Sequence, residues 1–295
     1  MKKVLITGCS GYIGSHLCKE LENDYDIWGL DLFPPQAPIK EGQFIQHDIN
    51  HPFGEFPEEF DAVIHLAARV RVNESRQMPI QYYITNLNGT MNVLAKIKTK
   101  NFIFASTGVA EYCNDPYGTS KKAAEDVVIE YCMSHNIQDF TIFRFYNVTG
   151  TNGYGPTNPD GLIANLLQAP QKGEFTIFGN DYNTPDGTCV RDYVHVNDLA
   201  QAHLLGLEHM KHNRGFSAFN LGNGNGFSVL EVIESCERVV SNKILYDIAL
   251  PREGDPARLV ANSAAAIREI GWKPNFEKID DIVASAWRWH NLKVS

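Results

Sequence analysis

Three glycines, Gly8, Gly11 and Gly14, stand in the run Thr7-Gly8-Cys9-Ser10-Gly11-Tyr12-Ile13-Gly14, between a short apolar segment and a helical one. Glycines at this spacing let a backbone turn tightly, approach a pyrophosphate and pack helix against strand. The helix N-terminus adds unpaired N–H groups and the positive end of its dipole. Asp31 ends the next strand-like segment, 17 residues after Gly14. A carboxylate there accepts hydrogen bonds from ribose hydroxyls and repels a 2′-phosphate, which predicts NAD rather than NADP. No Arg lies nearby in sequence to reverse that preference. Asp48, at the end of a third strand segment, has the chemistry to bond an adenine amine.

Tyr117 and Lys121 form a second constellation, in Tyr-Gly-Thr-Ser-Lys. At i and i+4 on a helix they share one face, a turn apart. A free phenol has a pKa of about 10 and is a poor base at neutral pH. A neighbouring ammonium and the positive charge of an oxidised nicotinamide both favour its phenolate. Such a pair can take a hydroxyl proton while hydride leaves the same carbon. Ser106-Thr107 end the strand segment just upstream. Thr107 can hydrogen-bond both the phenol and a substrate oxygen.

The elements that must position these groups alternate. Strand patterns cover Lys3–Thr7, Asp26–Phe33, Phe44–Asp48, Asp61–Ala67, Asn101–Ser106 and Phe140–Asn147. Helical spacing covers Tyr12–Leu21, Gln81–Ile97 and Tyr117–His135. This alternation predicts an α/β fold: a Rossmann-type, doubly wound parallel sheet with helices on both faces. Near Gly150 the texture changes to Gly, Asn and Pro. That places a dinucleotide domain at 1–150 and a smaller C-terminal α/β substrate lobe at 151–295, with chain segments free to cross back. Helices are expected there at Ser228–Val240, Ser263–Ile270 and Ile279–His290. Gly222–Gly226 reads as a turn after a strand.

Composition narrows the partners. The 295 residues carry a net charge of −9, which argues against nucleic acid. Apolar residues make up 43% and charged residues 21%, which are globular proportions. No apolar run reaches the length of a membrane span, and the N-terminal one stops at Gly8. The six cysteines have neither zinc nor C-x-x-C spacing and read as free thiols in a cytoplasmic protein. No metal is expected.

With these motifs in place, the chain resembles the extended short-chain dehydrogenase/reductase superfamily, through the glycine loop, Asn86 in NLNGT, Ser106-Thr107 and Tyr117-x-x-x-Lys121. The second half resembles the UDP-glucose 4-epimerase family, through Arg144–Gly150, Phe178–Tyr182, Asp186–Thr188, Val190–Val196, Asp198–Ala200, Pro251–Asp255 and Gly271–Pro274. The resemblance implies Thr107, Tyr117 and Lys121 as catalytic residues. NAD contacts would come from Gly8, Gly11, Tyr12, Ile13, Gly14 and Asp31, then from Asp48, Ile49, Leu66, Ala67 and Ala68. Asn86, Tyr117, Lys121 and Tyr146 would complete them. A UDP-sugar would meet Thr107, Asn147, Phe178, Arg191, Tyr193, Arg252 and Asp255. It implies proton removal from the sugar 4-hydroxyl, a transient 4-keto sugar and inversion of C4. It also implies a homodimer, paired through Met91–Lys98 and Lys122–Met133.

The chain departs from the family pattern in places. Thr107 and Tyr117 lie ten residues apart, much closer than usual. Val70, between Arg69 and Arg71, replaces a Lys that contacts the cofactor, and an expected Asn is replaced near Leu162, with Asn165 close by. Leu259 is intermediate in size where an N-acetyl group must fit. Among rivals, a 4,6-dehydratase needs an Asp-Glu pair after Thr107, where Gly108-Val109 stand. A fucose-type epimerase-reductase needs a Cys there and an NADP-binding Arg. A UDP-glucuronate 4-epimerase or decarboxylase differs by a few sugar-facing residues. A non-catalytic NAD-binding regulator stays open as a different class, although such proteins often lose the Tyr or the Lys.

Overall fold

The computed structural model describes residues 1–54, 59–135, 137, 139–155, 161–172, 175–212 and 215–294. Part of the Gly/Asn/Pro-rich stretch after Gly150, residues 156–160, lies outside them.

Six strands of the first half are β1 (Lys2–Thr7), β2 (Tyr25–Asp31), β3 (Phe44–Gln46), β4 (Ala62–His65), β5 (Asn101–Thr107) and β6 (Asp139–Phe145). A seventh strand of the same sheet, β7 (Gly215–Leu221), comes from beyond residue 150. The order is β3-β2-β1-β4-β5-β6-β7, and every neighbouring pair is parallel. Both faces are buried. Val4 and Ile6 pack under helices Tyr12–Leu21, Val196–His209 and Ala264–Ile270. Leu5 points to the other face, under Gly89–Lys96 and Pro116–Ser134. That alternation is the period of two expected for strands, with helices covering both sides.

Several bounds differ from the sequence reading. The third strand stops at Gln46, so Asp48 lies in the turn beyond it, where it accepts a hydrogen bond from the Asn50 N–H at 2.9 Å. The expected helix Gln81–Ile97 is three consecutive pieces, Pro79–Tyr83, a π-helical turn at Ile84–Asn88, and Gly89–Lys96. Helix Val196–His209 has no counterpart in the sequence reading, yet it covers one face of the sheet.

The second lobe has its own core, built from Leu166, Ile177, Val232, Ile233, Ile282 and Val283 among others. Its junction with the sheet is pinned from both sides. The Tyr12 hydroxyl donates to the Gly150 carbonyl. The Thr151 N–H donates to Ser285 Oγ at 2.9 Å, and Ser285 also pairs with His195 Nε2 at 2.8 Å. Gly150 has φ +85°, and a Cβ there would stand 2.2 Å from the His195 ring. No other residue fits that crossing.

Asp192 organises the lobe below the cleft. Its carboxylate is fully buried and accepts N–H groups from Asn223 (2.7 Å), Gly224 (2.9 Å) and Ala261 (3.0 Å). Its carbonyl accepts the Asn147 N–H at 3.0 Å. The Gly222–Gly226 run is therefore a turn closed onto Asp192, as its composition suggested. Asp192→Ala would strand three donors, the Ala261 N–H among them buried, and empty a buried site. It should cost about 3 kcal/mol or more, read as a melting midpoint lowered by several degrees.

Candidate active site

Strand order reverses between β1 and β4, so a crevice opens at the carboxyl ends of the strands. It continues into a cleft of about 2030 Å³ between the lobes. Every residue singled out above as a catalytic, cofactor or substrate contact lines this cleft, with one exception, Asn86.

The glycine loop forms one wall. A Cβ on Gly14 would stand 2.1 Å from the Gly8 carbonyl oxygen, so the helix can start this close to the strand only with glycine. Ile13 anchors the turn in the sheet core. Asp31 accepts the Ser10 N–H at 3.0 Å on one oxygen and the Phe33 N–H at 3.1 Å on the other. The carboxylate thus locks the loop while each oxygen keeps a further lone pair. Ile49 is fixed through its carbonyl, which accepts from Asn92 Nδ2 at 2.8 Å.

The opposite wall, Leu66-Ala67-Ala68, hangs on a buried hydrogen-bond chain. The Ala67 N–H donates to Thr7 Oγ1 (3.3 Å), and Thr7 pairs with His65 Nδ1 (2.6 Å). His65 Nε2 meets Thr90 Oγ1 (3.0 Å), and Thr90 donates to the Asn86 carbonyl (2.6 Å). Because the Thr90 proton is spent on that carbonyl, the network assigns the His65 proton to Nε2. Burial and then the Lys121 charge push His65 down to about 3, which keeps it neutral. Asn86 is a correction to the sequence reading. Its Oδ1 accepts the Arg69 N–H at 2.8 Å, and its Nδ2 donates to the Arg69 carbonyl and to Ser120 Oγ, both at 3.0 Å. With its side chain so committed, it braces the wall from behind and contributes nothing to the cleft surface.

The catalytic candidates meet where β5 ends. Asp115 caps helix Pro116–Ser134 by accepting the Gly118 N–H at 2.8 Å, with Pro116 in the first turn. Tyr117 is thereby held in the first turn and Lys121 in the next. Lys121 Nζ lies 4.1 Å from the centre of the Phe104 ring. Burial pushes the Tyr117 phenol up to about 12, against the downward pull of a hydrogen bond with Thr107. Burial takes Lys121 down to about 7, opposed by Glu125. A cation placed beside the phenol shifts this balance toward phenolate and ammonium. The short connection between Thr107 and Tyr117 is a 3₁₀ turn, Gly108–Glu111, followed by a loop that contributes Tyr112 and Asn114 to the cleft.

At the far end, Arg191 is already engaged. It donates to Asp255 Oδ1 (2.9 Å) and to the Pro256 (2.8 Å) and Val190 (2.9 Å) carbonyls. Arg252 is exposed and stacks on the Phe178 ring at 4.0 Å. Asn147 and Tyr193 begin two short paired strands, and Tyr146 packs its ring over Gly108. Two further residues line the site beyond the expected contacts, Ser106 of the Ser106-Thr107 pair and Arg76, which no motif marks. Ser106 Oγ is buried in the cleft wall without a hydrogen-bond partner. Arg76, in helix Val72–Gln77, points at the Arg252–Asp255 segment, with Nη2 3.6 Å from where Gly254 would carry a Cβ. Arg76 lies in no sequence pattern that announces it. An orphaned hydroxyl in a cleft floored by a glycine turn and edged by Asp31 fits a dinucleotide.

Known proteins agree with this geometry. The family model described as "NAD dependent epimerase/dehydratase family" matches residues 4–222. This chain belongs to that family. Within it, the chain is 37% identical to a UDP-glucose 4-epimerase of Lactobacillus helveticus, over 98% of this chain and 97% of the relative. A UDP-glucose 4-epimerase of Streptococcus mutans is 35% identical over 98% and 96%. Among solved members, the UDP-glucose 4-epimerase of Bifidobacterium longum in complex with NAD+ and UDP is 30% identical, with a TM-score of 0.87 and 99% of each chain covered. The Lactobacillus alignment runs over 320 positions, so that family member has residues with no counterpart in these 295. Among the described residues no three His, Cys, Asp or Glu side chains gather as a metal site, and no helix is long and apolar enough to cross a membrane.

Gly14→Ala should leave no room for the loop, and the purified variant should release no NAD on denaturation, measured by absorbance.

Proposed function

We infer that this chain inverts C4 of a UDP-hexose, interconverting UDP-glucose and UDP-galactose through a transient 4-keto sugar, with NAD held in the cleft. The observation that carries the inference is the meeting of Thr107, Tyr117 and Lys121 in the same cleft as a dinucleotide-type glycine turn. The names of its relatives support it. Bound NAD supplies a hydride acceptor that later gives the hydride back.

The chain's own residues do the rest. Tyr117 takes the proton of the sugar 4-hydroxyl and returns it at the end of the cycle. Lys121 stabilises the phenolate by its charge. Thr107 orients the phenol and a substrate oxygen. Arg252, exposed at the lip, has the fork geometry to hold a diphosphate, and Arg191 contributes once it releases part of its pairing with Asp255. A tightly held nucleotide and a loosely held sugar allow the keto sugar to turn over and present its other face. Dehydration lacks the acid that would directly follow Thr107. The first carboxylate after Thr107 is Glu111, which is bound to Arg144 at 2.8 Å. A non-catalytic regulator has no use for all three catalytic groups.

One observation favours a second reading, a UDP-hexuronate as substrate. Arg76 lines the cleft and has no carboxylate partner among the described residues, so it is available to an acidic sugar. We also propose a cytoplasmic homodimer. Six unpaired cysteines suit a reducing compartment. Helices Gly89–Lys96 and Pro116–Ser134 pack under the same sheet face and leave Met91 and Met133 exposed, as a helical pairing surface would.

Incubation with UDP-galactose, UDP-N-acetylgalactosamine and UDP-galacturonate separately, with NMR of the products, tests the inference. Conversion of the first is expected, and conversion of none would refute epimerisation. Tyr117→Phe should lower kcat by about 10²-fold or more while UDP binding persists. Sedimentation at micromolar concentration should show a dimer, and a monomer would remove that proposal.

A further inference from the structure

Behind the catalytic pair lies a charge cluster that the mechanism above does not use. Arg144, on β6, donates through Nε and Nη2 to both oxygens of Glu125, at 2.9 and 2.8 Å. Its Nη1 donates to Glu111 at 2.8 Å. The Glu125 side chain is 1% exposed, that of Arg144 22% and that of Glu111 37%. One guanidinium thus faces two carboxylates, and the cluster carries one surplus negative charge. A buried arginine needs a single carboxylate, so the second is unexplained by pairing alone.

Glu125 stands four residues after Lys121, one turn along the same helix face. Lys121 is 3% exposed and has no hydrogen bond or ion pair of its own among the described residues. Tyr117 lies one turn before it on its own helix. Phe104 faces it from β5, and the neutral ring of His65 from β4. The remaining charges are Glu125, Arg144 and Glu111. Burial removes the water that would solvate the ammonium, and the face of Phe104 returns a part of it.

We propose that Glu125 is a positioning residue for the reaction: together with Glu111 it overbalances Arg144, and the surplus negative charge keeps Lys121 an ammonium beside the Tyr117 phenol. The proposal rests on the reading of Tyr117 as the base. Its consequence lies in where one proton resides. Tyr117 and Lys121 share two dissociable protons and titrate as a pair. The competent form has lost one, from the phenol. The alternative form, neutral lysine with intact phenol, holds as many protons and is inert. Glu125 favours the first over the second, because it is one turn from the ammonium and two from the phenol.

Glu125→Gln keeps the shape and a hydrogen bond to Arg144 and removes the charge. Two measurements on the NAD-loaded protein read the outcome. The first is the pH profile of kcat/KM with UDP-galactose. Its descending limb should move to lower pH by about one unit, because the ammonium is lost sooner. The second is the phenolate ultraviolet band, taken as a difference against the same protein carrying Tyr117→Phe, which isolates this phenol. It should appear at higher pH than in the unaltered protein, because the first proton now leaves Lys121. Opposite movement of the two is the signature. Glu125→Asp, which retains the charge, should move both back. A lower melting midpoint with both titrations unmoved would make Glu125 a structural residue and overturn the proposal. If Glu125→Gln does not fold, Glu111→Gln removes the same surplus from a half-exposed side chain and should give smaller shifts of the same sign. No shift there would also overturn it. Full turnover by Tyr117→Phe is a separate result, which would remove the base itself.

Discussion

An ammonium taken out of water loses solvation that an aromatic face only partly returns. Lys121 is in that position, against Phe104 and one helical turn from Tyr117. Burial also holds the Tyr117 phenol protonated well above neutral pH, so that on the proposed mechanism the charge is needed. Much of the first lobe supports this one group. The Asp115 cap sets the helix start, and β5 and β6 bring Phe104 and Arg144 under it. Burial and the Lys121 charge itself keep the neighbouring His65 neutral, so that it adds no competing positive charge, and the chain from Thr7 to Thr90 holds its ring in place.

The two ends of the cleft are built differently, in keeping with a chemistry that needs a firm grip at one end and freedom at the other. The dinucleotide end is made of backbone. Gly14 admits no side chain, Asp31 ties strand to loop, and Asn86 ties a π-helical turn to the facing wall. The far end, where the proposed function places the nucleotide sugar, is made of side chains that already have partners within the protein, such as Arg191 with Asp255 and Arg252 with Phe178. Exchanging those partners for phosphate and base is a local rearrangement of long, flexible groups. Between the two ends the wall is short, because ten residues take the chain from Thr107 to Tyr117 through a single 3₁₀ turn. A sugar there has few neighbours to restrain its turning, and equally few to discriminate among substituents.

Motifs made of consecutive residues are legible in the sequence alone. A glycine turn is local geometry, and so is Tyr117 with Lys121 a helical turn later. Alternating apolar strands and helices announce the parallel sheet. Asn86 reads as a cofactor contact until its partners are known, because its role depends on Arg69, seventeen residues away, and on Ser120. β7 carries no local sign of its place in the sheet, since nothing within Gly215–Leu221 marks it as the neighbour of a strand seventy residues earlier.

What the residues alone determined is therefore whatever the chain decides within a turn or two: the glycine turn between strand and helix, the carboxylate at the end of the second strand, and the placing of Tyr117 and Lys121 on one helix face. What the tertiary structure decided is the company these groups keep. Glu125 and Arg144 meet across a helix and a strand, and Ser106 is left without a partner. Arg76 aims from one lobe at a loop of the other. Charge interactions and burial act through space, not along the chain, so such relations exist only once the sheet has brought distant segments within a few ångströms of one another.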